Sequence, residues 1–204
     1  MNKEMNDALF SSGYDAPEYV ANLRNYRSLV KQLMDEAEAD SSHAEELARL
    51  AAEYPQPVRA TMMTEDWCGD SACNTPILAS LFTKADIPFK ALRGSENESL
   101  KEGYEREGTD HIPVISLWDG RWQELVRWVE APEAISRKKE QWKAERPEFM
   151  ELYAKQKSDT DAAKKFASLY REFLETMAEW YRSDLWSETT REIVDKLAAK
   201  GVDR

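Results

Sequence analysis

The sequence predicts an α/β fold, with a central mixed sheet of about four strands and helices added before and after it. The main observation is the order of predicted elements, βαβαββα, within residues 56–145. The first half of that order indicates parallel strands joined by crossover helices, and the final strand pair adds an antiparallel edge. Residues 1–55 and 146–204 have helical spacing of apolar side chains, which predicts helical extensions on either side of the sheet domain.

Four short, largely apolar runs bounded by turn signals are the predicted strands. They lie at residues 58–64, 87–92, 114–118 and 121–129. Asp119-Gly120 stands between the last two, and this dipeptide is a strong signal for a two-residue hairpin. The last two strands are therefore expected to pair antiparallel across a tight turn.

Capping residues and apolar spacing predict the helices. Asp15-Ala16-Pro17 joins a cap to an early proline and starts a helix whose apolar face continues to Leu33. Capping boxes that begin at Ser42 and Ser95 start two further helices, and another helix is predicted over residues 70–85. These helices supply the crossovers that the parallel strands need.

The end of the chain is also expected to be helical. A helix starts at Pro132, and residues 146–204 continue as helix to the C-terminus, where they are expected to pack on the sheet domain. One face of this segment carries apolar side chains at helical spacing: Ala163, Phe166, Tyr170, Phe173, Met177 and Trp180. Core packing is the simplest interpretation of such a face, and a homodimer or partner interface is the alternative.

The composition limits the classes of function. The formal net charge is −11, from 28 Lys and Arg against 39 Asp and Glu, which disfavours binding to nucleic acid or anionic membrane. No apolar run reaches the ~18–20 residues of a membrane span, and the polar N-terminus does not fit a signal peptide. A cytoplasmic protein is therefore expected. Two cysteines and two histidines, not spaced as ligands, predict neither a disulfide framework nor a metal site.

The segment around Cys68 combines several features of a reactive thiol. Cys68 is predicted at a junction of strand and helix, where unpaired N–H groups and the helix dipole favour a thiolate by ~0.3–1 kcal/mol. Trp67 offers a flat apolar surface, and Gly69 leaves room for a partner backbone. Three carboxylates flank the thiol: Glu65, Asp66 and Asp70. Because negative charge disfavours a thiolate by a similar amount, the sequence leaves the direction of the Cys68 pKa shift open.

One set of residues resembles the thioredoxin superfamily in type, order and spacing: Trp67-Cys68-Gly69, Pro76 within the following helix, and Ile112-Pro113 before a strand. A longer pattern, with Leu92-Arg93-Gly94-Ser95 and Trp128-Val129-Glu130-Ala131-Pro132, resembles a bacterial branch of thioredoxin-like proteins that has helices at both ends. The resemblance implies a thioredoxin-like fold, a nucleophilic Cys68 and a cis bond before Pro113. It also implies that Trp67, Gly69, Ile112 and Pro113 contact the substrate.

Two positions depart from the thioredoxin pattern. Ser71 stands where the resemblance expects a resolving cysteine, and Met62 stands where it expects a buried acid. The resemblance therefore implies a thiol-disulfide oxidoreductase in which Cys68 works through a mixed disulfide, with Ser71 beside it. Glutathione or another external thiol would resolve that disulfide, and no bound cofactor is expected. The substrate would be a disulfide of a protein or of a small molecule.

Two further residues have open roles. Cys73 lies five positions after Cys68, and an ideal helix separates such Cα atoms by ~8.6 Å, beyond the ~7 Å limit for a disulfide. Cys73 can resolve the mixed disulfide only if the first helical turn unwinds, which Pro76 favours by removing a backbone donor. Otherwise it is a small buried hydrophobe or an intermolecular thiol. His111, near Pro113, either assists the Cys68 thiolate or has no catalytic role.

Two functions of other kinds remain open. A redox-inactive binding module would keep the fold and the apolar groove beside the thiol while losing turnover, and Ser71 and Met62 favour this alternative. Cys68-Gly69-Asp70-Ser71 also resembles the one-cysteine motif of monothiol glutaredoxins, which implies use of glutathione or a shared iron–sulfur cluster. Ile112 and the added helices fit that family poorly.

Overall fold

The computed structural model describes residues 5–201. Contacts divide the chain into two compact units. The sheet unit comprises residues up to Ala131 together with residues from Trp186 onwards, and the helical unit comprises Pro132–Leu185. The three-segment division expected from the sequence stays a prediction.

The sheet has strands β1 (Arg59–Thr64), β2 (Phe89–Arg93), β3 (Val114–Trp118) and β4 (Glu124–Val129), in the order β2-β1-β3-β4. β1 pairs parallel with β2, whereas β1 with β3 and β3 with β4 pair antiparallel. The predicted α/β fold with a mixed sheet is therefore confirmed. β1 is an inner strand buried over nearly its whole length, so the loop that follows Thr64 starts from a rigid part of the sheet.

The hairpin between β3 and β4 has a longer loop than the sequence indicated. β4 begins at Glu124, three positions after the predicted start at Arg121. The carboxylate of Asp119 accepts the backbone N–H groups of Arg121 and Gln123, each at 2.8 Å. The predicted two-residue turn is wrong, because this carboxylate stabilises a wider loop in place of further strand pairing.

Within residues 5–201 there are ten α-helices: α1 (Asp7–Ser12), α2 (Ala16–Ala21), α3 (Arg27–Glu36), α4 (Ser41–Ala51), α5 (Gly69–Lys84), α6 (Glu98–Arg106), α7 (Glu133–Ala144), α8 (Glu148–Lys155), α9 (Thr160–Trp180) and α10 (Trp186–Gly201). α5 and α6 occupy the two predicted crossover positions, and helices before and after the sheet are confirmed. α10 packs in the sheet unit against α4, α5 and β4. None of the described helices is both long enough and apolar enough to cross a membrane.

The helix predicted to run from residue 15 to Leu33 is divided into α2 and α3. Tyr26 adopts a left-handed φ of 57° at the N-cap of α3, which interrupts the helical backbone. The break leaves the carbonyl of Asn22 and the N–H of Arg24 available to other partners. Both groups are used by a buried ion pair next to Cys68.

Aromatic packing holds the helical unit together. The ring of Trp142 lies 4.7 Å from that of Phe173 and 5.4 Å from that of Phe149, measured between centroids. Phe166 and Tyr170 extend the cluster against Phe149. Core packing therefore explains part of the aromatic face predicted in this segment, and the homodimer alternative stays a prediction.

Candidate active site

Cys68 occupies the N-cap of α5, directly after the loop that leaves β1. Its sulfur accepts the N–H of Ser71 at 3.4 Å, so it lies against the unpaired N–H groups of the first helical turn. This is the position expected from the sequence. The thiol is nevertheless almost covered, since only 7% of Cys68 is exposed.

The segment before β3 forms the wall that faces this thiol. The peptide bond between Ile112 and Pro113 is cis, and the Cys68 thiol donates to the Ile112 carbonyl at 3.3 Å. Trp67, next to the cysteine in sequence, is 61% exposed. Gly69 is buried and begins α5. Cys68 and the segments that the sequence predicts to contact a substrate therefore lie next to each other, while their roles stay predictions.

A cavity of about 300 Å³ opens beside this wall. Trp67 and Ile112 line it together with Thr64 at the end of β1. Charged and polar side chains reach it from three places in the chain. They are Glu65 after β1, then Ser95, Lys101 and Glu105 at and before α6, and Asp110 before β3. A ligand in the cavity would therefore contact Trp67 and Ile112, the two residues that flank the sulfur.

Burial controls the acidity of the thiol. Loss of solvent, with the Asp70 carboxylate as the second cause, raises the pKa of Cys68 to about 11. The hydroxyl and N–H of Ser71 and the N–H of Asp70 lower the pKa without offsetting the rise. The structure thus gives the direction that the loop sequence left open. At neutral pH the resting form is the thiol, which donates a hydrogen bond to the backbone carbonyl of Ile112.

Alkylation of Cys68 by iodoacetamide is expected to be slow at pH 7.5. A pKa of about 11 in place of 9.0 lowers the thiolate fraction about 100-fold. The greater nucleophilicity of the more basic thiolate recovers about tenfold, which leaves a rate about tenfold below that of a model thiol. Because the thiolate fraction grows with pH until the pKa is reached, the rate should keep rising beyond pH 9. Timed alkylation followed by peptide mass spectrometry measures it.

The matched test of the cause is Asp70→Asn, which removes the second contribution to the raised pKa. We expect alkylation at pH 7.5 to become roughly twofold faster, because the larger thiolate fraction is partly offset by the lower nucleophilicity of the less basic thiolate. Glu98→Gln, at an exposed carboxylate on α6, should leave the rate unchanged. A wild-type rate that levels off near pH 8, or an Asp70→Asn rate equal to wild type, would contradict this explanation.

The carboxylate of Asp66 forms a buried ion pair and does not face the thiol of Cys68. Its Oδ1 lies 2.8 Å from Nε of Arg93, and its Oδ2 accepts the N–H of Arg24 at 3.2 Å. Arg93 also donates to the Asn22 carbonyl at 3.1 Å, and its guanidinium lies 4.7 Å from the ring centre of Tyr14. The pair therefore ties the loop that carries Cys68 to β2 and to the break between α2 and α3.

Glu65 also has a structural partner. Its carboxylate accepts the backbone N–H and the hydroxyl of Ser95. Ser95 therefore does not cap α6, whose N-cap is Asn97. Of the three carboxylates near the thiol in sequence, Asp70 is the one whose charge raises the pKa of Cys68.

Comparison with known proteins decides the family. A family model described as Thioredoxin matches residues 13–143, more than half of the chain. The chain belongs to the thioredoxin family. A protein of unknown function from Pseudomonas aeruginosa has a similar structure, with a TM-score of 0.59 and 16% identity, over 96% of this chain and 98% of that one. An HIV epitope scaffold is similar with a TM-score of 0.50 and 22% identity, over 63% of this chain and 78% of that one. These identities establish a shared fold alone, and no curated protein is similar enough to count as a relative.

Uncharged groups fill the space behind the thiol, where the thioredoxin pattern leads one to expect a second thiol and an acid. Ser71 is buried and accepts a hydrogen bond from Oγ1 of Thr64 at 2.6 Å. Met62 is buried as well, and its sulfur lies 3.7 Å from the hydroxyl of Thr75. In this thioredoxin-family chain, the positions expected for a second thiol and an acid are therefore filled by a hydroxyl and a thioether group.

Cys73 is wholly buried and is not joined to Cys68 by a disulfide. Its carbonyl accepts the indole N–H of Trp186 at 2.9 Å. The side-chain oxygen of the next residue, Asn74, accepts the hydroxyl of Thr189 at 3.0 Å. Two residues of α10 thus hold the part of α5 that would have to unwind before Cys73 could approach Cys68.

His111 does not join the thiol. Its side chain is exposed, and its Nδ1 lies 2.7 Å from the carboxylate of Asp110. The imidazole is therefore paired at the surface. A role for His111 in stabilising the Cys68 thiolate stays a prediction that this geometry does not favour.

Sequence reasoning missed the contacts that hold the site in place. Arg93 belongs to the pattern that resembles thioredoxin-like proteins, and Trp186 lies in the predicted C-terminal helical segment, but their partners lie 27 and 113 positions away in the chain. No periodicity or local motif connects positions so far apart. The one available signal is that Arg93 stands in a family-like segment.

Proposed function

We propose that the protein is a thiol-disulfide oxidoreductase that works through the single thiol of Cys68. The Cys68 thiolate attacks one sulfur of a substrate disulfide, forms a mixed disulfide with that half and releases the other half as a thiolate, which takes up a proton. An external thiol such as glutathione then attacks the substrate-derived sulfur. Cys68 leaves as a thiolate, and the external thiol departs joined to the substrate half in a new disulfide.

One observation carries the proposal. The sulfur of Cys68 lies at the N-terminus of α5 and also 3.3 Å from the backbone carbonyl of Ile112. The family resemblance implies that a substrate strand pairs with the backbone at Ile112, and such pairing would bring a substrate sulfur to Cys68. Trp67 and Pro113 would supply the apolar surface, while Gly69 would let the partner backbone come close.

A one-thiol mechanism is supported by the position of the second cysteine. Cys73 is buried, and its backbone is held by Trp186. Ser71 provides a hydroxyl where a resolving thiol would be needed. Resolution is therefore assigned to a thiol in solution, and no bound cofactor is part of the mechanism.

The test is catalysed exchange between glutathione and bis(2-hydroxyethyl) disulfide at pH 8. We expect Cys68→Ser to reduce the rate to that of buffer, because it removes the nucleophile. Cys73→Ser is the matched control, since it removes the other thiol, and it should keep the wild-type rate. A Cys68→Ser protein with wild-type activity would refute the proposal. If the single variant Cys73→Ser also loses its activity, the result would instead indicate a two-thiol mechanism.

A redox-inactive binding module is the second candidate function. It is supported by the burial of Cys68 and by the direction of its pKa shift, which together keep the thiol protonated at neutral pH. In that case the exposed face of Trp67 and the cavity beside it would bind a ligand without covalent chemistry. The two candidates differ in one result: the binding module requires wild type and Cys68→Ser to give the same exchange rate as buffer.

A further inference from the structure

Buried hydroxyl groups lead to the sulfur of Cys68. Oγ1 of Thr64 donates to Oγ of Ser71 at 2.6 Å, and the exposed fractions of the two residues are 0% and 1%. The N–H of Ser71 already reaches the Cys68 sulfur at 3.4 Å. Ser71 therefore lies between Thr64, at the end of β1, and the reactive atom.

The direction of the first hydrogen bond decides what Ser71 can do. A hydroxyl carries one proton and also accepts hydrogen bonds. Because Thr64 donates to the Ser71 oxygen, the Ser71 proton is left for another acceptor. The sulfur of Cys68, the N-cap three positions earlier, already accepts the Ser71 N–H and is in place to be that acceptor. The Ser71 hydroxyl is accordingly one of the groups that lower the pKa of Cys68.

Tyr19 of α2 is a neutral neighbour of Thr64. Its side chain is buried, and burial raises the pKa of Tyr19, so its hydroxyl keeps its proton, while the Thr64 hydroxyl acts in the opposite direction. The donors that lead to the thiol therefore begin at Thr64 and run through Ser71 to Cys68, an arrangement in which each hydrogen bond strengthens the next.

We propose that Thr64 is a positioning residue: it fixes the Ser71 hydroxyl so that its proton points at Cys68 when that sulfur leaves as a thiolate. The proposal rests on the one-thiol function described above. In the resolving step the external thiolate bonds to the substrate-derived sulfur, the S–S bond breaks, and its electron pair moves to Cys68. Ser71 donates a hydrogen bond to the new anion and keeps its proton. A stabilised thiolate is the better leaving group.

Ionisable groups from several elements surround this series of hydroxyls. Asp70 on α5 raises the pKa of Cys68, and Tyr19 stays neutral. The Asp66–Arg93 pair, from the loop that carries Cys68 and from β2, is internally compensated. His111, in the loop before β3, is paired with the Asp110 carboxylate. A substitution at Thr64 leaves all of these groups in place.

The test uses Thr64→Val, which keeps the shape of the side chain and removes the donor. Two rates are measured between pH 7 and 10: alkylation of Cys68 by iodoacetamide, and release of a preformed glutathione mixed disulfide at Cys68 by dithiothreitol. We expect both to fall about tenfold at each pH, the loss of roughly one charge-assisted hydrogen bond. Thr64→Ser restores the donor and should return both rates to within about twofold of wild type.

Thr75→Val is the matched control. Thr75 is also buried, and its hydroxyl bonds the backbone carbonyl of Ser71 at 2.7 Å without touching the Ser71 hydroxyl. Wild-type rates in Thr64→Val, or an equal loss in Thr75→Val, overturn the proposal. If Thr64→Val does not fold, Thr64→Ala with the Thr64→Ser rescue decides it by the same rates. A wild-type protein that forms no mixed disulfide defeats the proposed function instead, and the alkylation profile then still decides the role of Thr64.

Discussion

Replacing Arg93 by alanine is expected to lower the free energy of unfolding of the sheet unit by about 3–5 kcal/mol. The side chains of Arg93 and Asp66 are only 5% and 8% exposed. Removing the guanidinium leaves the buried carboxylate with only the exposed guanidinium of Arg24, 3.9 Å away, as a counter-charge. It also takes a donor from the Asn22 carbonyl. Urea denaturation at pH 7, followed by circular dichroism and tryptophan fluorescence, measures the loss.

An exposed arginine provides the control for this experiment. Arg106 pairs with Glu102 on α6, and the two side chains are 53% and 54% exposed. Arg106→Ala should therefore have a far smaller effect, because exposed ion pairs contribute little. Adding Asp66→Asn to Arg93→Ala should recover part of the stability by removing the uncompensated charge. Equal losses in Arg93→Ala and Arg106→Ala would show that the buried pair does not stabilise the loop.

Replacing Trp186 by alanine is expected to have an effect of similar size, about 3–5 kcal/mol, because it empties a large buried site between α10 and α5. It also removes the indole donor from the carbonyl of Cys73. The first turns of α5 should then unwind more readily, since Pro76 already weakens that part of the helix. The same denaturation experiment measures the loss of stability.

The consequence for the cysteines gives a second readout of Trp186. Under oxidation with diamide, we expect wild type to form no disulfide between Cys68 and Cys73, and Trp186→Ala to form it. Trp186→Phe keeps an aromatic ring and removes the N–H, so it should form less of this disulfide than alanine does. Trp67→Ala, at the exposed tryptophan, is the control and should behave as wild type. Equal disulfide formation in all four proteins would mean that α10 does not restrain Cys73.

The fold was predictable because its signals are local. Apolar runs bounded by turn residues indicate the four strands, and the βαβαββα order follows from them. One exception arises where a distant group changes a local preference. The apolar face up to Leu33 predicts one helix, but the chain breaks at Tyr26 and offers backbone groups to Arg93 and Asp66. The hairpin is a local exception: Asp119 indicates a tight turn, but its own carboxylate accepts the N–H groups of Arg121 and Gln123 and stabilises a wider loop.

The candidate site was predictable in its residue types but not in its electrostatics. The spacing of Cys68 and the Ile112-Pro113 segment indicates that they face each other. The acidity of the thiol depends on how deeply it is covered, and packing of that kind leaves no mark in the loop sequence. Counting Glu65 and Asp66 as neighbours of the thiol also misjudges them, because each is bound to a partner that only the fold brings near.

The central claim is that Cys68 alone performs covalent exchange while Cys73 stays enclosed. Its most direct test is to incubate the reduced wild-type protein with glutathione disulfide at pH 8.5, quench with acid, and locate the adduct by intact-mass and peptide mass spectrometry. We expect one glutathione per chain, on Cys68, with Cys73 unmodified and no disulfide between the two cysteines. An unmodified Cys68, an adduct on Cys73, or an intramolecular disulfide would contradict the account.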